Sequence, residues 1–146
     1  MEKTLTTRLL GQHRPEDIPY LLKPILNNEA DFVVGSRILG HREPDSLFRL
    51  SGVYTFGWLI SLLLGKKITD PSSGFRAFKM SSTSKINLLE DQYHTSELII
   101  EAIKKDLRIK EVPITILKRK YGKSKKGRDW IYGFYFAKTI IKTWWR

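Results

Sequence analysis

ADFVVGSR, residues 30–37, is the stretch whose reading decides the fold. Phe32, Val33 and Val34 are consecutive apolar residues closed by Gly35, the pattern of a short buried strand that feeds a loop. Ser36 and Arg37 then stand at a strand end, where open α/β sheets place their ligands. Residues 37–45 are polar, contain Gly40 and Pro44, and are expected to form a flexible loop.

On the N-terminal side, residues 3–10 alternate weakly and predict a short strand, and residues 11–15 a turn. Pro15, Glu16 and Asp17 open a helix, with carboxylates at the positive end of its dipole. Ile18, Leu21, Leu22, Ile25 and Leu26 recur at helical spacing, and Pro24 predicts a kink or a break. On the C-terminal side, residues 46–64 form the most apolar stretch. It approaches the length of a membrane span, but Arg49, Gly52, Gly57 and Ser61 interrupt it. A helix buried in protein and an interfacial helix touching lipid are the two readings, ahead of a true span. Residues 68–78 predict a turn entering a strand, and residues 81–89 a short helix. An amphipathic helix follows over 95–107, then a strand over 108–117 whose Pro113 predicts an edge or a bulge. Residues 118–128 form a basic loop and 129–145 a final helix. Alternating strands and helices predict a layered α/β domain.

The chain has 146 residues, enough for one domain, with 41% hydrophobic and 28% charged residues, a globular composition. It has no Cys, which excludes disulfides, thiolate metal sites and a Cys nucleophile, and fits a reducing cytosol. Lys and Arg number 26 against 15 Asp and Glu, a net charge of +11 that favours phosphates, nucleic acid or acidic lipid. Residues 1–10 contain Thr6, Thr7 and Arg8 and no apolar h-region, so no signal peptide is expected and the basic segments are placed on the cytoplasmic side.

Five segments in order resemble the family-2 glycosyltransferases of the dolichyl-phosphate mannose/glucose synthase branch: GQHRPEDIPYLL (11–22), ADFVVGSR (30–37), the apolar helix opening with Phe48-Arg49, DPSSGFRAF (70–78) and EVPITILKRKYGKSK (111–125). The resemblance implies a partial GT-A, Rossmann-like α/β fold that lacks the N-terminal nucleotide-binding strands. Residues 1–128 would be its acceptor-side part, and 129–146 a C-terminal amphipathic, membrane-interfacial helix. It implies transfer of a hexose from a nucleotide-sugar to dolichyl or polyprenyl phosphate by a protein peripheral at the cytoplasmic side of a membrane. Where the family has Asp-x-Asp-Gly-Gln-His, this chain has Arg8-Leu9-Leu10-Gly11-Gln12-His13. The intact family uses Mg or Mn; Leu10 offers no oxygen and Arg8 repels a cation, so no metal is expected to be retained.

By the same resemblance, Arg37, Arg49 and Arg119 approach the acceptor phosphate and the diphosphate, Ser124 adds a hydroxyl, and Ser36 and Gln12 complete the phosphate-binding set. Asp70 and Glu97 are the carboxylates that would orient donor or acceptor. Arg76 is expected to pair with Asp70 or Glu97. Trp130, Phe134, Tyr135, Lys138, Lys142, Trp144 and Trp145 mix aromatic and cationic side chains, as a headgroup-level helix does; a buried core helix is the other reading. The expected partners are a polyprenyl-phosphate lipid, the membrane surface and, in a split enzyme, a second polypeptide supplying the nucleotide-binding half. The alternative is a non-catalytic basic module binding a membrane or nucleic acid. Nucleic acid is disfavoured because aromatics are not interleaved with the cations of 118–128.

Overall fold

A computed structural model of the chain describes residues 3–6, 14–42, 47–87, 89, 94–117 and 129–146. The elements run β1 (Lys3–Thr6), a 3-10 turn (Pro15–Asp17), α1 (Ile18–Leu26), β2 (Phe32–Arg42), α2 (Leu47–Leu64), β3 (Arg76–Lys79), α3 (Met80–Thr83), α4 (His94–Lys104), β4 (Ile109–Ile116) and α5 (Asp129–Trp145). The four strands form one mixed sheet in the order β1-β3-β2-β4. β3 is antiparallel to both of its neighbours, and β2 is parallel to β4.

The apolar run in β2 is explained by burial on both faces. Val33 points into a core with Leu21, Ile25, Phe75, Ala77, Val112 and Ile114, beneath α1. Phe32 and Val34 point the other way, into a core with Ile60 of α2, Ile99 of α4, and Phe136 and Ile140 of α5. Helices therefore cover both faces of the sheet, and a strand at its centre can be apolar throughout.

Three sequence expectations change in detail. β2 does not end at Ser36 but runs to Arg42. Its register on β4 shifts between Ser36 and His41, so that His41 pairs with Thr115 and Arg42 with Ile116. A side chain at Gly40 would meet the Ile114 carbonyl oxygen at 2.0 Å, so glycine is what lets the two backbones close there. α1 runs through Pro24 without a break. Pro24 lies in the last turn, and its carbonyl accepts from Glu29 N (2.8 Å) and Ala30 N (3.2 Å) to close the helix. The helix expected over 81–89 shrinks to Met80–Thr83, because hydroxyls compete with the next backbone turn: Thr83 Oγ1 donates to Met80 O (2.6 Å) and Ser84 Oγ to Ser81 O (3.2 Å).

Pro113 does lie on an edge strand, β4. Among the described residues no helix is long and apolar enough to cross a membrane. α2 and α5 pack together through Phe56 and Phe136, ring centroids 4.6 Å apart. Each leaves large apolar side chains in solvent: Phe48, Tyr54, Trp58 and Leu62 on α2, and Trp130, Phe134, Ile141 and Trp145 on α5.

Candidate functional site

The site is built at the middle of β2, beside its parallel partner β4. The two strands run side by side as far as Arg42 and Ile116. β2 delivers Ser36 and Arg37, and the turn before β3 delivers Thr69, Asp70, Ser72 and Ser73.

Arg37 and Asp70 form a two-pronged ion pair. Arg37 Nε donates to Asp70 Oδ2 at 2.7 Å and Nη2 to Oδ1 at 3.0 Å, and the Arg37 backbone N–H adds a third bond to Oδ2 at 3.1 Å. Nη2 also donates to Ser72 Oγ at 2.6 Å. The Asp70 side chain is fully buried, whereas Arg37 keeps 23% of its side-chain surface exposed. A buried carboxylate thus orients a guanidinium that still meets solvent, and planar bidentate pairing fixes its rotation as well as its position.

Beneath the pair lies a chain of hydroxyls ending on a carboxylate. The Ser36 and Thr69 hydroxyls are 2.6 Å apart. Thr69 Oγ1 donates to Glu111 Oε2 at 2.9 Å, and Leu39 N donates to Ser36 Oγ at 3.2 Å. Glu111 also accepts the backbone N–H groups of Thr69 (3.0 Å) and Asp70 (3.1 Å) on Oε1. Burial pushes the Glu111 carboxyl above its ordinary value, and the nearby Asp70 charge pushes the same way. The hydrogen bonds from Asp70 and Thr69 oppose them.

The sequence-predicted residues fare differently. Arg37 and Asp70 come together, and Asp70's bidentate partner is Arg37 rather than Arg76. Arg76 is buried, and its Nη1 reaches the Thr95 carbonyl at 3.4 Å. Ser36 is fully buried and bonded to Thr69 and Leu39, so its place is under the site. Glu97 is fully buried in α4, where it accepts from Leu89 N (2.9 Å) and from Arg146 Nη2 (2.9 Å). It serves to hold the end of α5. Arg49 lies in the first turns of α2, but its side chain is outside the described residues, as are Gln12, Arg119 and Ser124. Glu111, Thr69 and Ser72 were not singled out from the sequence. The one available signal was Glu111 itself, an acid two residues from Ile109 on the same face of the strand.

A divalent cation does not fit the described carboxylates here. Both Asp70 oxygens are taken by Arg37, and both Glu111 oxygens by amides and a hydroxyl. The arrangement is suited instead to an anion approaching a fixed guanidinium.

No family model matches the chain. It is 36% identical over 129 residues to an uncharacterised protein of Methanocaldococcus jannaschii, covering 85% of this chain and 53% of that protein. It is equally 36% identical over 129 residues to the UDP-N-acetylglucosamine–dolichyl-phosphate N-acetylglucosaminyltransferase of Methanococcus voltae, covering 85% of this chain and 51% of that enzyme. The undecaprenyl-phosphate mannosyltransferase of Micrococcus luteus is 29% identical over 132 residues, with 79% of this chain and 49% of that enzyme covered. The chain is similar to polyprenyl-phosphate glycosyltransferases. It corresponds to the C-terminal part of these relatives and spans about half the length of those it matches.

Proposed function

We propose that this chain forms the acceptor side of a GT-A-type, family-2 hexosyltransferase that works at a membrane surface on its cytoplasmic face, with a polyprenyl monophosphate as acceptor. The observation that carries the reading is Arg37: Asp70 holds its guanidinium beside the middle of β2 while part of it stays exposed. A phosphomonoester is largely dianionic near neutral pH, its second pKa being about 6, so it can attack an anomeric carbon with little help from a general base. It needs cations that fix its position and hydrogen bonds that shape its approach. Arg37 supplies the oriented cation. Arg49, Arg119, Ser124 and Gln12 complete the phosphate's surroundings in this reading. The exposed aromatic and aliphatic side chains of α2 and α5 suit the headgroup level of a bilayer, where the lipid's phosphate lies.

Donor binding and the divalent cation belong to the nucleotide-binding half, whether another stretch of the same protein or a second polypeptide provides it. The enzymes of M. voltae and M. luteus are named for dolichyl phosphate and undecaprenyl phosphate, which supports the acceptor class. The test is flotation of the full chain with phosphatidylcholine vesicles carrying either a polyprenyl phosphate or the matching polyprenol. Retention only by the phosphate-bearing vesicles is expected. Equal retention by both, or salt-sensitive capture by RNA in place of vesicles, contradicts the reading.

A further inference from the structure

Glu111 has no counterpart in the chemistry above, yet it lies under the centre of the site. It sits on β4 opposite Val34 of β2. No cation pairs with it among its recorded bonds; its carboxylate takes two backbone N–H groups and one hydroxyl. Those donors belong to Thr69 and Asp70, the residues that open the turn facing Arg37. We infer that Glu111 is a positioning residue, which sets the direction of the Arg37 guanidinium by fixing the Thr69–Asp70 backbone and the order of the Ser36–Thr69 hydroxyls. The inference rests on the reading of Arg37 as a phosphate ligand.

The argument follows the donors and acceptors. Thr69 spends its hydroxyl proton on Glu111, so it must accept from Ser36. Ser36 then donates to Thr69 and accepts from the Leu39 N–H, and all three hydrogen bonds point one way. The Asp70 amide is held on the same carboxylate, 3.1 Å from Oε1, which fixes the backbone from which the Asp70 side chain reaches Arg37. An acid does this better than an amide. In Glu111→Gln the side-chain oxygen can still take the two backbone N–H groups, but the NH2 faces the Thr69 hydroxyl as a donor. The Thr69 proton must then turn to Ser36, and the order reverses. Burial already disfavours charge at this carboxyl, so neutralising it is tolerated by the fold. The cost of the substitution falls on geometry rather than on stability.

The experiment has two arms on the full chain. The first measures hydrogen exchange of the arginine Nε–H groups by NMR, with Arg37 and Arg108 assigned from Arg37→Lys and Arg108→Lys. Arg108 Nε donates to Asp31 just before the start of β2, 3.0 Å away, and serves as the internal control. In Glu111→Gln the Arg37 Nε–H is expected to exchange about tenfold faster while Arg108 does not change. Unchanged Arg37 exchange overturns the inference. So does an equal rise at both arginines, because that is loss of global stability and not of local order.

The second arm titrates the same variants with geranyl monophosphate, using geraniol as the control. Arg37→Ala is expected to abolish the preference for the phosphate, and Glu111→Gln to weaken phosphate affinity about tenfold. Full affinity in Glu111→Gln beside a loss in Arg37→Ala overturns Glu111 and leaves the phosphate reading standing. Full affinity in Arg37→Ala overturns the phosphate reading, and Glu111's role in binding with it. Thr69→Val is a second variant that breaks the hydroxyl order without touching a charge, and it is expected to move Arg37 exchange in the same direction as Glu111→Gln.

Discussion

β2 carries one arginine–aspartate pair at its start and another at its middle, and the two pairs differ in what else they hold. At its start, Asp31 accepts from Arg108 Nε and Nη2, both at 3.0 Å, and lies 3.3 Å from Lys79 Nζ. Arg108 also caps the helix corner, where Asn28 takes a positive φ of 58°, by donating to the Asn28 carbonyl at 2.7 Å. There the arginine is half exposed, and its side-chain donors tie the start of β4 to Asn28 and Asp31. At the middle of the strand Asp70 is fully buried, and Arg37, 23% exposed, lies above a layer of hydroxyls. One pair is a staple. The other presents a cation. In both pairs the aspartate is the more buried partner, so exposure does not separate them; what separates them is where the other donors go, to the Asn28 corner from Arg108 and to Ser72 of the site turn from Arg37.

The largest expected effect comes from breaking the second half of β2 itself. Gly40→Ala drives a methyl into the β4 backbone, which cannot yield as a side chain can, and is expected to cost about 3–4 kcal/mol in urea denaturation. Asp70→Ala comes next. It leaves Arg37 without its buried partner, at a cost of about 2–3 kcal/mol, toward the lower end for a broken buried pair because Arg37 is partly solvated. Arg108→Ala opens the staple and is expected to lower the urea midpoint by less than Asp70→Ala. A larger loss from Arg108→Ala than from Asp70→Ala would reverse the contrast drawn here.

The smallest effect separates the two regions by pH. The Arg108 hydrogen bond holds the Asp31 carboxyl well below its ordinary value. A depressed carboxylate contributes stability above its unfolded pKa, about 3.9, and loses it as the pH falls below that value. Glu111, with a raised pKa, has the opposite sign: its contribution declines as the pH rises above about 4.3. Asp31→Asn should therefore flatten the acid limb of the stability curve below about pH 4. Glu111→Gln should flatten the decline above about pH 4.3 and leave the acid limb in place. Urea midpoints across pH 3–7 distinguish them.

Much of this was legible in the sequence, and the limits have physical causes. The run Phe32-Val33-Val34 announced a strand buried on both faces, because nothing else absorbs apolar side chains at consecutive positions. Pro113 announced an edge or a bulge, where a missing N–H is harmless, and it lies on the edge strand where the register shifts. Arg37 and Asp70 were each marked by their motifs. What pairs with Asp70 was not legible: Arg76, six residues away, competes on paper with Arg37, thirty-three away, and only the sheet register chooses. The link from Glu111 to Thr69 spans 42 residues, with no local pattern at either end. The second half of β2 looked like a loop because its residues are polar with a central glycine. Its strand character is imposed by β4, which no window around Gly40 contains.

The most direct test of the account conserves charge at both pairs. Arg37→Lys and Arg108→Lys each replace a bidentate guanidinium with a point charge and leave the net charge at +11. Calorimetric titration of both variants with a short-chain prenyl monophosphate should show Arg37→Lys weakened by about tenfold and Arg108→Lys binding as the unaltered chain does. Equal affinities in the two variants, or a loss confined to Arg108→Lys, would contradict it.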